Sequence, residues 1–205
     1  MSAPQETREA WLSRLASQVA PVIEAQAQIE LPPYRVTCGF PSKGGMMGGK
    51  TRVRGQCWAA EASEDGRAEI FVSPVEDEAE EVAAILAHEL IHAGLPGDGH
   101  KYPFQKAAAS IGFEAPFTQS VTTEVFWAWM RPLVERNGPY PHRRLNAMRA
   151  VAQRKKQTTR QIKCECGSCG YIVRTTRSWL DKMGAPHCPE HGAMTPELPD
   201  DGDDA

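Results

Sequence analysis

Two histidines four residues apart, with a glutamate beside the first, give this 205-residue chain its strongest chemical signal: His88-Glu89-Leu90-Ile91-His92. Residues four apart on a helix lie nearly one turn apart, so both imidazoles can reach one ion from the same face. Glu89 then stands next to the open coordination position, where a carboxylate can take a proton from water. The pattern is H-E-x-x-H, which points to zinc-assisted hydrolysis. A catalytic zinc takes three protein ligands, and several residues compete for the third place. His100 follows a glycine-rich turn that could fold it back. Asp98 falls where the third ligand of the extended pattern H-E-x-x-H-x-x-G-x-x-H/D would stand, but Leu95 replaces the glycine which that pattern needs. Glu114 or Glu124 would supply a carboxylate from a downstream helix. Neutral imidazole suits zinc, so His100 is the preferred ligand.

A second ligand pattern lies near the C-terminus. Cys166-Gly167-Ser168-Cys169 is followed by Cys188-Pro189-Glu190-His191. Two thiolates on a tight turn, completed by a third thiolate and an imidazole, make a Cys3His zinc ribbon. Because protein fills all four positions, this site is expected to be structural. The intervening seventeen residues, 171–187, allow a strand and its return. Cys164 and His187 are left over. Four of the six cysteines crowd into the last fifth of the chain, which reads as metal binding rather than a disulfide framework. Cys38 and Cys57 stand alone in strand-like segments and are expected to be buried thiols. Two zinc ions per chain are therefore expected, one of them surviving loss of Cys166 and Cys188.

These ligands need elements to position them. Residues 83–94 carry the first motif on a helix, with Val82, Leu86, Leu90 and Ala93 as an apolar stripe. The acidic run 76–81 covers its first turns, where the helix dipole favours negative charge. Upstream, residues 4–27 space Trp11, Leu15, Val19, Val22 and Ile23 as one helical face, and Pro32-Pro33 ends that helix. Residues 34–40, 52–59 and 67–73 alternate as strands, with a glycine-rich loop at 42–50. Two further helices are expected at 103–111 and 120–134. The fold class is α+β.

Composition sets limits on partners. At 41% hydrophobic, the chain can bury one core and carry a small appended module. No window approaches a membrane span, and the first twenty residues lack an apolar leader, so a cytoplasmic location without membrane contact is expected. The net charge of -3 hides an asymmetry: residues 131–182 hold thirteen Lys/Arg against three Asp/Glu. Arg154, Lys155, Lys156, Arg160, Lys163, Arg174 and Arg177, interleaved with Tyr171 and Trp179, suit nucleic acid, with charges on phosphates and rings on unpaired bases. A plain solvated face is the alternative for such a charge run.

The succession EIFVSP, LAHELIHA, GHKYPFQKAAASIGF, QTTRQIKCECGSCGYIVRTTRSWL and CPEHGAM resembles the SprT-like metallopeptidases, in particular their bacterial and phage members. The similarity runs over residues 40–194. It implies a compact zincin-type domain with a C-terminal zinc ribbon. Together with the basic block and the acidic end of the chain, the expected organisation is a domain with a small antiparallel sheet at 1–142, a basic linker at 143–163, a zinc ribbon at 164–196 and an acidic tail at 197–205. The resemblance also implies catalytic zinc on His88, His92 and His100 with Glu89 as general base. Eukaryotic relatives, the Spartan proteins, cleave proteins crosslinked to DNA, and bacterial members are described as linked to transcription elongation. Two departures stand out: Gly99 precedes His100 where the family has the glycine after the histidine, and His191 stands where cysteine is usual. The expected function is a DNA-associated zinc metalloprotease in the bacterial cytoplasm or nucleoid, with DNA-bound protein as substrate. The alternatives are a transcription-associated nucleic-acid-binding protein without proteolysis, and a metallohydrolase of other substrates.

Overall fold

The computed structural model describes residues 6–42, 44–45, 52–146 and 161–198. The chain forms two compact units, 1–152 and 153–205. Each is α+β. Among the described residues no helix is long and apolar enough to cross a membrane.

Among its described residues the first unit holds four α-helices and a small sheet. Helix α1 (Arg8–Ala27) starts where Thr7 Oγ1 accepts the backbone N–H of Ala10 at 3.1 Å. It buries Trp11, Leu12, Leu15, Ala16, Val19, Ala20 and Ile23 on one face, the three-and-four spacing of an amphipathic helix. It ends at Ala27, the boundary expected, with Gln28 as its cap in a left-handed turn (φ 55°) ahead of Pro32-Pro33. Strands β1 (Tyr34–Cys38), β2 (Gly55–Trp58) and β3 (Ala68–Val72) form one sheet in the order β1-β3-β2. β1 runs parallel to β3 and β2 antiparallel to it. The sheet is thus mixed, where a purely antiparallel one was expected. The reason lies in the long connection between β1 and β2, which lets β1 pair across β3 rather than form a hairpin with its neighbour.

Helix α2 (Ala79–Gly94) passes through the middle of this unit. Eleven of its sixteen residues are buried, His88 and Glu89 included, so it is a central helix rather than one with a single apolar stripe. Helix α3 (Tyr102–Ser110) buries Phe104, Ala107 and Ala108. Helix α4 (Glu124–Asn137) buries Phe126, Met130 and Val134. Its end is tied back to α1: Trp11 Nε1 donates to Gly138 O at 3.0 Å, and Arg14 Nη2 to Asn137 O at 3.1 Å.

The acidic run does not simply decorate the start of α2. Glu76 is buried at 4% exposure and takes both Arg52 and Arg54, the latter at 2.7 Å; Arg54 also reaches Glu81 at 2.6 Å. Burial alone would raise the Glu76 carboxyl, but Arg54 and Arg52 outweigh it and hold it below 4.5. This clamp fixes the leading end of β2 to the loop before α2. Glu76→Ala is expected to cost about 2–3 kcal/mol in urea unfolding at pH 7, because two guanidinium groups lose a shared charged acceptor. A carboxyl with a depressed folded value stabilises fully above its unfolded value and loses that contribution as pH falls through the folded one. The gap between wild type and variant should therefore close below 4.5.

In the second unit β4 (Gln161–Glu165) pairs antiparallel with β5 (Ile172–Thr176) and with β8 (Thr195–Pro196). A short helix α5 (Arg177–Met183) follows β5, and β6 (His187–Cys188) pairs with β7 (Gly192–Ala193). The first described strand of this unit, β4, lies partly within the segment expected to be linker, and its Ile162 and Cys164 alternate into the core. The return from β5 is the helix α5, with Leu180 packed against that core.

Candidate metal centre and cleft

His88 and His92 leave α2 one turn apart, as their spacing requires. His100 reaches them because the chain reverses through Gly97 (φ 81°) and Gly99 (φ 57°), both in the left-handed region that glycine enters without strain. Gln105 Nε2 donates to His100 O at 2.8 Å and pins the returning backbone to α3. The result is three Nε2 atoms 3.1 Å (His88–His100), 3.2 Å (His88–His92) and 3.2 Å (His92–His100) apart. Zinc with Zn–N bonds near 2.05 Å and tetrahedral angles would need donor atoms about 3.3 Å apart. The three imidazoles fit a metal ion.

Phe104 organises this cluster from below. It is fully buried, stacks on His92 at 4.2 Å between ring centroids, and touches the rings of His88 and His100 at 4.9 Å each. Its packing role was legible in the sequence; its contact with all three candidate ligands was not. Burial, reinforced by His92 and His100, takes His88 down to about 3, and burial with His100 takes His92 down to about 4. His100 is lowered by burial as well. All three rings are therefore neutral at pH 7, with lone pairs available to a cation.

Glu89 lies on the same helix and is 6% exposed. Burial raises its carboxyl to about 8. Among the described residues it has neither a hydrogen bond nor an ion pair. It opens on a cleft of about 1180 Å³ that also contains His88, His92 and His100. One wall is β2 with the residues leading into it, from Arg52 to Cys57; the other includes Leu95, Pro96 and the loop at Thr118, Gln119 and Ser120. Cys57 lines this cleft and is half-buried, as is Cys38, so neither is the fully buried thiol that was expected. Burial and the nearby Glu89 push the Cys57 thiol up to about 12, which keeps it protonated.

The other candidates for third ligand stand apart. Asp98, Glu114 and Glu124 do not join the His cluster, and Glu114 and Glu124 are exposed. Tyr102, two residues beyond His100, is 73% exposed and does not line the cleft.

The second unit brings Cys166, Cys169, Cys188 and His191 together, with all four ligand atoms within 4.8 Å of one another. Cys169 Sγ lies 3.7 Å from Cys188 Sγ, and Cys188 Sγ lies 3.5 Å from His191 Nδ1. A tetrahedral zinc would place sulfur pairs about 3.8 Å apart and a sulfur–nitrogen pair about 3.6 Å apart. This group too could hold a metal ion. A backbone N–H at Glu190 and the His191 ring draw the Cys188 thiol down to about 6. Of the two spares, Cys164 is fully buried in the module's core and His187 is exposed.

The basic surface is only partly within view. Arg154, Lys155, Lys156 and Arg160 lie outside the described residues. Lys163 is held by Glu165 at 2.5 Å and Glu197 at 2.8 Å, and Arg177 by Asp181 at 3.2 Å. Arg174 is exposed, and Trp179 is 57% exposed with Lys182 Nζ 5.8 Å from its ring centroid. Comparison with protein-family models, with curated proteins and with solved structures found no match.

Proposed function

We propose that the first unit is a zincin-type zinc peptidase, resembling the SprT-like metallopeptidases, and that it acts on proteins bound to DNA. The reading is carried by one observation: three neutral imidazoles converge in a cleft that also holds a buried carboxyl free of any partner among the described residues. His88, His92 and His100 would hold the zinc, which would supply Lewis acidity to a carbonyl and to water. A cation on the three imidazoles would favour the ionised form of Glu89 against its burial. In that form Glu89 would accept a proton from the attacking water on a carboxylate oxygen and pass it to the leaving amine nitrogen. β2 orients the substrate. It pairs only with β3 among the described strands and lines the cleft, so an extended peptide can add to its open edge through backbone hydrogen bonds. Such binding reads main chain more than side chains, which suits a protease whose targets are set by location.

The second unit supplies location on this reading. Zinc on Cys166, Cys169, Cys188 and His191 holds its fold, and Arg174, Trp179, Tyr171 and Lys182 present cations beside exposed rings. The basic residues at 154–160 would add phosphate contacts. The pairing of Lys163 and Arg177 to carboxylates makes them weaker contributors than their sequence neighbours.

A cleavage assay on a DNA-bound protein tests the reading. Cleavage is expected only with metal present, faster with DNA than without, and with the DNA effect fading as salt rises. Full metal loading with no cleavage of any protein substrate would remove the peptidase half. DNA binding in that same preparation would favour a nucleic-acid-binding protein without proteolysis.

A further inference from the structure

Gly55 is the point at which β2 meets α2. A Cβ at this position would lie 2.5 Å from Glu89 Oε1, 2.9 Å from Glu89 Cγ and 2.7 Å from Ile85 Cγ2. All three distances are inside van der Waals contact, so no side chain fits without displacing something. The backbone at Gly55 lies outside the left-handed region, so chain conformation does not call for glycine here. Close approach does. Ile85 is 2% exposed and packed in the core, which leaves the Glu89 carboxyl as the group able to yield. The strand itself is held, since Glu76 clamps Arg52 and Arg54 just before it.

We propose that Gly55 is a positioning residue for Glu89: its bare backbone is the seat against which the carboxyl rests, and it sets where the proton acceptor stands relative to the three imidazoles. The inference rests on the hydrolytic reading of the cleft, while its steric half is measurable without any activity. A Cβ at 55 drives the carboxyl away from the strand, and a displacement of about 1 Å in such a group costs on the order of 10²-fold in rate. The three atoms nearest that Cβ belong to Glu89 and Ile85 and none to a histidine, so metal content is expected to stay at the wild-type value.

The experiment compares wild type, Gly55→Ala, Glu89→Ala and the double variant as full-length, metal-loaded chains. Gly55→Ala should keep the wild-type metal content and lower kcat by about 100-fold or more with KM little changed. It should also lower Tm in the wild-type background, and Glu89→Ala should recover at least half of that loss, since removing the carboxyl empties the seat. A kcat within threefold of wild type by that criterion, or a Tm loss that Glu89→Ala recovers by less than half, overturns the proposal. Should Gly55→Ala fail to fold, folding restored in the double variant supports the seat, and continued failure overturns it. An inactive wild type would count against the peptidase reading, and the Tm comparison would still decide for or against the contact.

Discussion

Replacing Glu89 with glutamine is expected to lower kcat for peptide hydrolysis by about 10²–10⁴-fold while KM and metal content stay at wild-type values. Glutamine keeps the volume and reach of the side chain, so it occupies the same seat against Gly55. It cannot accept a proton, however, and proton transfer is the one step assigned to this residue. The substitution breaks no hydrogen bond or ion pair among the described residues, and it replaces an ionisable group in a buried site with a neutral one. Stability should therefore hold or rise, which separates a chemical effect from a folding one. Steady-state kinetics with metal analysis on the same preparations checks this. Undiminished hydrolysis in the variant would remove Glu89 from the mechanism, and with it the reading of the cleft as a peptidase site.

The ligand geometry was legible because it is mostly local. Four-residue spacing on a helix dictates where His88 and His92 point, and two left-handed glycines make the return of His100 a matter of a few residues. The Cys3His group is equally local, being two short turns brought together by short strands. What lay beyond reach depends on long-range pairing. The parallel partnership of β1 with β3 joins residues 34 apart, and alternation within either strand carries no sign of direction. The burial of Glu76 between Arg52 and Arg54 was hidden for the same reason: in sequence it belongs to an acidic run, and only the placement of β2 makes it a clamp. Gly55 offered no signal, because a glycine inside a strand pattern reads as a bulge or a weak point until the carboxyl beside it is known.

Metal removal should have opposite consequences for the two units, and this is the largest structural effect expected. Among the described residues the core of the second unit is five buried residues, Ile162, Cys164, Cys166, Cys188 and Met194, with Val173 and Leu180 against them. Two of the five are candidate metal ligands, and all six cysteines of the chain are free thiols, so no disulfide substitutes for the ion. A module of about 40 residues cannot offset its chain entropy with so little apolar burial. Metal binding in comparable small modules contributes roughly 10–16 kcal/mol of folding free energy. The first unit, by contrast, has a continuous core running from Trp11 to Tyr140, and its three imidazoles sit on elements packed by that core. Cys166→Ser is therefore expected to reduce zinc from two ions to one, and to abolish amide hydrogen-exchange protection across 161–198 while leaving that of α2 intact. Its chelator counterpart should empty both groups, unfold the second unit and leave the first folded but inactive. Protection across 161–198 that survives either treatment would mean that the cysteine group does not hold this module together.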